Sequence, residues 1–339
     1  MKQQDRFYLS ADLALPSRNK RVEGLPLVSI VTPSFQYGHF IERTIRSILA
    51  QTYPNIEYII IDGGSTDDTV AVIKKYENAG ISQWISEPDN GQTDAINKGF
   101  SMCSGDLFAW LNADDAYAYP EVIEEVVDAY TKGARFISGE WEAWDGDGNL
   151  YSEGRKWGQS DPVVYEDLLK FWEHICPPQP ATFVDRKIAE DVFPLDTSVQ
   201  CFMDFQLFLG VLAQNPKCKW SHNRWADFVY HGANKSLGNY AERFDLVGEH
   251  EATFLCSAKA NLPERRFKSY SRRFYGQLAF LRSRRSGEPA NFIDLIYSHP
   301  VLLADPLFGK TLLRKLMGSR LYQNVKRACK LFVFTNNPK

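Results

Sequence analysis

The apolar positions of this chain alternate between two rhythms. Leu27-Val28-Ser29-Ile30-Val31-Thr32 is a nearly continuous β-branched run closed by Pro33, which predicts a buried strand. Between His39 and Gln51, Phe40, Ile41, Ile45, Ile48 and Leu49 fall on one helical face. Ile56 to Ile61 predicts a second strand with Gly63-Gly64 as its turn, and Ser65 or Thr66 caps a helix striped by Val70, Ile73 and Tyr76. The unit then repeats: strand over 82–86, helix over 92–102, strand over 106–111 and helix over 120–130. Such alternation predicts an α/β fold built on a doubly wound, mixed but mainly parallel sheet.

The chain is organised around Leu107-Phe108-Ala109-Trp110-Leu111-Asn112-Ala113-Asp114-Asp115. Its apolar half reads as a buried strand, and the two acids mark the carboxyl end, where open α/β sheets hold their ligands. Adjacent carboxylates repel and lose hydration there, so a divalent cation carrying a diphosphate would stabilise them. The competing reading is structural, with the acids opening the next helix and Pro120 in its first turn.

Past residue 134 the rhythm changes. Arg135 to Gly139 predicts a strand, and Trp141 to Tyr151 brackets Asp145-Gly146-Asp147-Gly148-Asn149, a hairpin turn that lacks the spacing and closing Glu of a calcium loop. Cys176-Pro177-Pro178-Gln179-Pro180 is a rigid extended segment, Ala181 to Val184 a short strand, and Met203 to Ala213 a helix. From Leu237 onward the pattern is helical. Glu264 to Arg285 interleaves eight Lys and Arg with aromatic and aliphatic residues, and Lys310 to Arg327 is a second basic-apolar stretch.

A chain of 339 residues, 44% hydrophobic, can bury a sizeable core. Its net charge of −3 hides an asymmetry: residues 261–339 hold 16 Lys and Arg against 4 Asp and Glu. A basic extension on an acidic body predicts docking on an anionic membrane surface, or a helical lid with a solvated basic face. Nucleic acid is the weaker partner, because no recognised binding motif accompanies the charge. The six scattered cysteines form no CxxC pair, which argues against a zinc ribbon or disulfide framework and for a reducing compartment. No leader and no apolar stretch of about 18 residues is legible, so the expected location is cytoplasmic, peripheral at the inner face of the cell membrane.

From Leu27 to Asp115 the chain resembles the inverting glycosyltransferases of family 2, which have the GT-A fold. The resemblance rests on Val28-Ser29-Ile30-Val31-Thr32-Pro33-Ser34-Phe35, Ser47-Ile48-Leu49-Ala50-Gln51-Thr52-Tyr53-Pro54, Ile59-Ile60-Ile61-Asp62-Gly63-Gly64-Ser65-Thr66-Asp67 and Leu111-Asn112-Ala113-Asp114-Asp115, in that order and spacing. It continues more loosely through Pro178 to Phe183 and Phe202 to Phe205, as far as His231. Residues 1–26 carry no clear period and end at Pro26, which predicts an arm on the surface. A GT-A domain then spans 27–250, with a nucleotide-sugar half (27–133) and an acceptor half (134–250) as the resemblance implies, and the basic amphipathic pattern predicts a helical extension over 251–339.

The activity it implies is transfer of a sugar, with inversion, from a nucleotide-diphosphate sugar, UDP-sugar favoured, to an acceptor hydroxyl. The acceptor would be a glycan or lipid-linked glycan in surface polysaccharide or lipopolysaccharide synthesis. The resemblance places Mn²⁺ or Mg²⁺ on Asp115 with His231, the ribose on Asp114, the base against Pro33 and Phe35, and the base or ribose on Asp62. Asp94 would bind donor-sugar hydroxyls and Asp204 would be the catalytic base. Lys235 is a candidate phosphate contact. One departure stands out: two acids are usual after the second strand, and here Asp62 is followed by Gly63. A nucleotidyltransferase is disfavoured, because no Lys or Arg lies between Pro33 and Phe40 to hold a triphosphate. A degenerate sugar-nucleotide-binding scaffold is the non-enzymatic alternative.

Overall fold

The computed structural model describes residues 7–10, 13, 15–16, 21–145, 150–153, 165–169, 176–231, 234 and 246–285. The 146–149 turn, Lys235 and the 310–327 stretch lie outside them.

The first strands form as the apolar runs predict. β1 (Val28–Ser34) is buried along its whole length and pairs in parallel with β2 (Ile56–Asp62) and β4 (Leu107–Trp110), while β3 (Gln83–Ser86) adds in parallel to the far side of β2. Helices α1 (Ile41–Leu49), α2 (Thr69–Tyr76) and α3 (Gln92–Met102) are the connections, as parallel pairing demands. Ile41, Ile45 and Ile48 of α1 are fully buried. Close approach of α3 to β1 depends on Gly99, where an added Cβ would lie 2.4 Å from Val31 Cγ1.

The second half turns the sheet mixed. After β5 (Ala116–Tyr117) and α4 (Val122–Thr131) come β6 (Phe136–Trp144), β7 (Leu150–Glu153), the short α5 (Tyr165–Leu169), β8 (Thr182–Asp185), α6 (Arg186–Glu190), α7 (Met203–Ala213) and β9 (Cys218–Val229). Strand order is β3-β2-β1-β4-β8-β6-β9-β5, with β7 paired to β6. β8 runs antiparallel to β4 and β6, and β6 runs parallel to β9. The first strand past residue 134 is longer than the pattern predicts, and the 12-residue β9 has no counterpart in it.

The N-terminal arm is not wholly a surface feature. Tyr8 is fully buried and its hydroxyl donates to Asp227 Oδ2 at 2.8 Å, while Leu15 packs against the core. Asp227, also fully buried, accepts from Trp144 Nε1 at 3.2 Å and faces Arg224 Nε at 3.5 Å. Contacts divide the chain into Met1–Leu168 with Ile175–Ser257, and Leu169–His174 with Ala258–Lys339. In the second unit the helix Glu264–Arg285 buries Tyr270 and Phe274 and exposes Arg265, Arg266, Lys268 and Arg272. Among the described residues, no helix is long and apolar enough to cross a membrane.

Candidate active site

The sequence order 3-2-1-4 reverses between β1 and β4, and at such a switch point the carboxyl ends of the strands open a crevice. The turn after β4 fills its edge. Asp115 N donates to Asn112 O at 3.0 Å, and the first turn of α1 holds the backbone from behind, with Thr44 Oγ1 donating to Asp115 O at 2.6 Å and an Arg43 guanidinium N–H to Asp114 O at 2.9 Å.

The short β5 follows at once and pairs antiparallel with β9, Ala116 opposite Asp227. That register carries the chain leaving β9 back across the turn, which is how residues 117 positions apart meet. His231 Nε2 lies 3.1 Å from Asp114 Oδ2, and Asn234 Nδ2 donates to the same oxygen at 3.1 Å. Asn234 is a clamp: it also donates to Val229 O at 3.0 Å and accepts from His231 N at 2.5 Å. The imidazole stacks on Phe40, with 4.3 Å between centroids and 15° between planes. His231 thus meets Asp114, whereas the resemblance pairs it with Asp115.

Asp115 is fully buried, and Asn112 Nδ2 donates to its Oδ2 at 3.1 Å. Its Oδ1 is buried with no hydrogen-bond partner among the described residues. Burial, then the neighbouring Asp114 charge, push this carboxyl well above the ordinary carboxylate range. Such an orphaned acceptor suits a divalent cation. Among the described residues no group of three or more His, Cys, Asp and Glu is arranged to hold a metal unaided. A Mg²⁺-type ion needs no such cage, because it binds through one or two carboxylates and completes its shell with phosphate oxygens and water.

The other expected residues divide into engaged and open ones. Asp62 is fully buried and accepts from Ser65 N at 2.9 Å, Ser65 Oγ at 2.5 Å and Ser86 Oγ at 2.7 Å, so it ties the ends of β2 and β3 together. Asp94, in the first turn of α3, accepts from Asn90 N at 3.0 Å and faces Lys98 Nζ at 3.7 Å. Pro33 is buried within β1, and Phe35 just beyond the strand is 55% exposed. An acid does stand beside the missing one: a Cβ on Gly63 would lie 2.9 Å from Asp89 Oδ2. Burial raises the Asp89 carboxyl, whose Oδ1 accepts from Gly91 N at 2.8 Å.

Asp204 opens α7. Its Oδ1 accepts from Phe205 N at 2.7 Å, and burial pushes its pKa up to about 6. The segment leading into it is pinned to α3: Thr93 Oγ1 donates to Val199 O at 2.6 Å, Asn97 Nδ2 donates to Leu195 O at 2.8 Å, and Asn97 Oδ1 accepts from Leu195 N at 2.8 Å. The same helix begins with Gln92, whose Nε2 donates to Asn112 Oδ1 at 2.8 Å. Asp115 and the approach to Asp204 are therefore referenced to one rigid element. Asn234, Phe40, Gln92 and Gln179 are not singled out as site residues by the sequence, where Phe40 reads only as part of an apolar helix face and the three amides have no distinctive spacing.

Residues 29–193 match the profile described as Glycosyl transferase family 2. An uncharacterized glycosyltransferase of Mycobacterium tuberculosis is 44% identical over 105 residues, which is 31% of this chain and 40% of that protein. An uncharacterized glycosyltransferase of Nostoc sp. is 28% identical over 66% of this chain and 70% of its own length. Chondroitin synthase of Escherichia coli is 32% identical over 44% of this chain and 22% of its own. Among solved structures, S. aureus TarS 1-349 in complex with UDP-GlcNAc superposes with a TM-score of 0.61 at 13% identity, covering 90% of this chain and 92% of that one. A mannosyltransferase of Pyrobaculum calidifontis in complex with GDP-Man and Mn²⁺ gives 0.54 at 13% identity over 96% and 91%. At these identities the superpositions establish the shared fold, GT-A.

Proposed function

We infer that this chain is a glycosyltransferase of family 2, whose profile its residues 29–193 match. The proposed reaction is inverting transfer of a sugar from a nucleotide-diphosphate sugar, UDP-sugar favoured, to a hydroxyl of a glycan or lipid-linked glycan. The observation that carries it is the buried, unpartnered Asp115 Oδ1 beside Asp114 at the carboxyl end of β4. An uncompensated buried acceptor costs roughly 1–3 kcal/mol, which supports a bound cation and diphosphate here, and turnover is what separates an enzyme from a sugar-nucleotide-binding scaffold.

In this reading Asp115 holds Mn²⁺ or Mg²⁺, with Asp114 and His231 beside it. When bound, the cation neutralises the charge that develops on the departing diphosphate. Asp114 is held in place by Asn234 and His231 and addresses the ribose or the ion's water shell. Exposed Phe35 offers a stacking face to the base, and Pro33 forms part of the floor beneath it. Asp62, bonded on both oxygens, shapes the crevice, and Asp94 lines the start of α3 near the donor sugar. Asp204 takes the proton from the acceptor hydroxyl as oxygen attacks the anomeric carbon. A pKa of about 6 leaves it ionised at neutral pH, yet basic enough to accept.

Relatives support a nucleotide-sugar donor: the TarS structure holds UDP-GlcNAc, and the mannosyltransferase holds GDP-Man with Mn²⁺. The basic extension, exposing Arg265, Arg266, Lys268 and Arg272, would hold the enzyme at an anionic membrane face from the cytoplasmic side. The test is release of nucleoside diphosphate from a panel of nucleotide sugars, with ¹H NMR of the freshly released sugar. An anomeric configuration opposite to the donor's supports single displacement. Retention overturns it, and no turnover of any donor favours the scaffold.

A further inference from the structure

The turn bearing the two acids is wired to three amide side chains whose directions can be fixed without assumption. The Trp110 carbonyl can only accept, so the Gln179 group 2.6 Å away is its Nε2, and Gln179 Oε1 faces the other way. That oxygen lies 3.0 Å from the Asn112 amide and requires Nδ2 there. Asn112 Oδ1 then faces Gln92 Nε2 at 2.8 Å, and the second Nδ2 hydrogen reaches Asp115 Oδ2 at 3.1 Å. Both Nδ2 hydrogens and the Oδ1 of Asn112 are thus engaged. The partners come from the start of α3 and the residue after Pro178 at the approach to β8, so two separate elements set the pose of one side chain.

We propose that Asn112, locked by Gln92 and Gln179, is a positioning residue that aims Asp115 Oδ1 at the metal–diphosphate of the donor. The inference rests on the donor reading above. By tethering Oδ2, the network leaves Oδ1 as the single uncommitted oxygen of a fully buried carboxylate and fixes its direction. It also explains why an amide and not an acid stands two residues before Asp114. A carboxylate at 112 would oppose Asp115 Oδ2 and Gln179 Oε1, acceptor to acceptor, and Gln179 cannot turn over without losing the Trp110 carbonyl. Residues that orient a metal-binding side chain affect metal affinity by about 10-fold to 100-fold.

The experiment is calorimetric titration of the full-length protein and of Asn112→Asp and Gln179→Met, with and without MnCl₂. The probe is whichever of UDP, GDP, CDP and dTDP binds the wild type most tightly. Both variants should lose roughly 10-fold to 100-fold of the Mn²⁺-supported affinity, and affinity without Mn²⁺ should stay within about twofold. Mn²⁺-supported binding equal to wild type overturns the proposal, as does an equal fall in both affinities, which marks a merely structural role. Absence of nucleotide binding by the wild type overturns the donor reading instead, and this proposal with it. Should the variants not fold, hydrogen exchange of the Asn112 side-chain NH₂ in the wild type decides: strong protection supports the lock, and exchange at the rate of an exposed amide refutes it.

Discussion

The His231 ring lies flat against Phe40, 4.3 Å between centroids and 15° between planes, while its Nε2 rests 3.1 Å from Asp114 Oδ2. One aromatic face at the start of α1 thereby sets the plane in which the imidazole meets the acid. Phe40→Ala removes the stack and not the chemistry. Donor affinity should fall about 2-fold to 13-fold, in keeping with a stacking contribution of roughly 0.5–1.5 kcal/mol. Phe40→Tyr should preserve it. Titration with the nucleoside diphosphate checks both.

Asp115→Asn separates stability from function. Because burial and Asp114 raise the folded carboxyl above its unfolded value, the ionised form costs stability at neutral pH, and that cost is relieved as pH falls toward the unfolded value. The variant should therefore melt at a higher temperature than the wild type at pH 7.5 and lose metal-supported nucleotide binding. Calorimetric melting with parallel titration reads both. A lower melting temperature would deny that the acid is uncompensated.

Asp204→Asn should spare donor binding and slow transfer by roughly 10²–10⁴-fold, the usual share of a positioned base. With a pKa of about 6, raised by burial, the carboxyl is protonated below that value and cannot accept a proton. The wild-type rate should fall about tenfold per pH unit below 6 and level off above it. Thr93→Val, which loosens the approach to Asp204, should lower kcat more than it weakens donor binding. Initial rates from pH 4.5 to 8 test this assignment.

The buried Tyr8–Asp227 bond makes the N-terminal arm part of the domain. Tyr8→Phe removes one donor to a charged acceptor and should cost about 1.5–3 kcal/mol. Urea unfolding of the variant measures it, and an unchanged midpoint would show that this bond adds nothing to stability.

The α/β half was legible because its strands are continuous apolar runs and its helices carry one apolar stripe, so period alone distinguishes them. β9 was not legible. Cys218-Lys219-Trp220-Ser221-His222-Asn223-Arg224 mixes charge and aromatics with no strict alternation, and its pairing with β6 joins residues about 80 apart. Asp114 and Asp115 were found because adjacent acids after a buried strand are a local signal. Their supports were not, since Asn234 lies 120 residues from Asp114, and Gln179 67 from Asn112. Gly63 reads as a missing acid in the sequence, while in the structure the Asp89 carboxylate lies close to it, a proximity that no linear motif records.

The central claim is that the β4 carboxyl end holds a nucleotide through a metal on Asp115. Its most direct test is calorimetric titration of the wild type and Asp115→Asn with UDP, GDP, CDP and dTDP, with and without Mn²⁺. Tight binding of one nucleotide, dependent on both the ion and Asp115, is the predicted result. Equal binding by the two proteins, or none by the wild type, would contradict it.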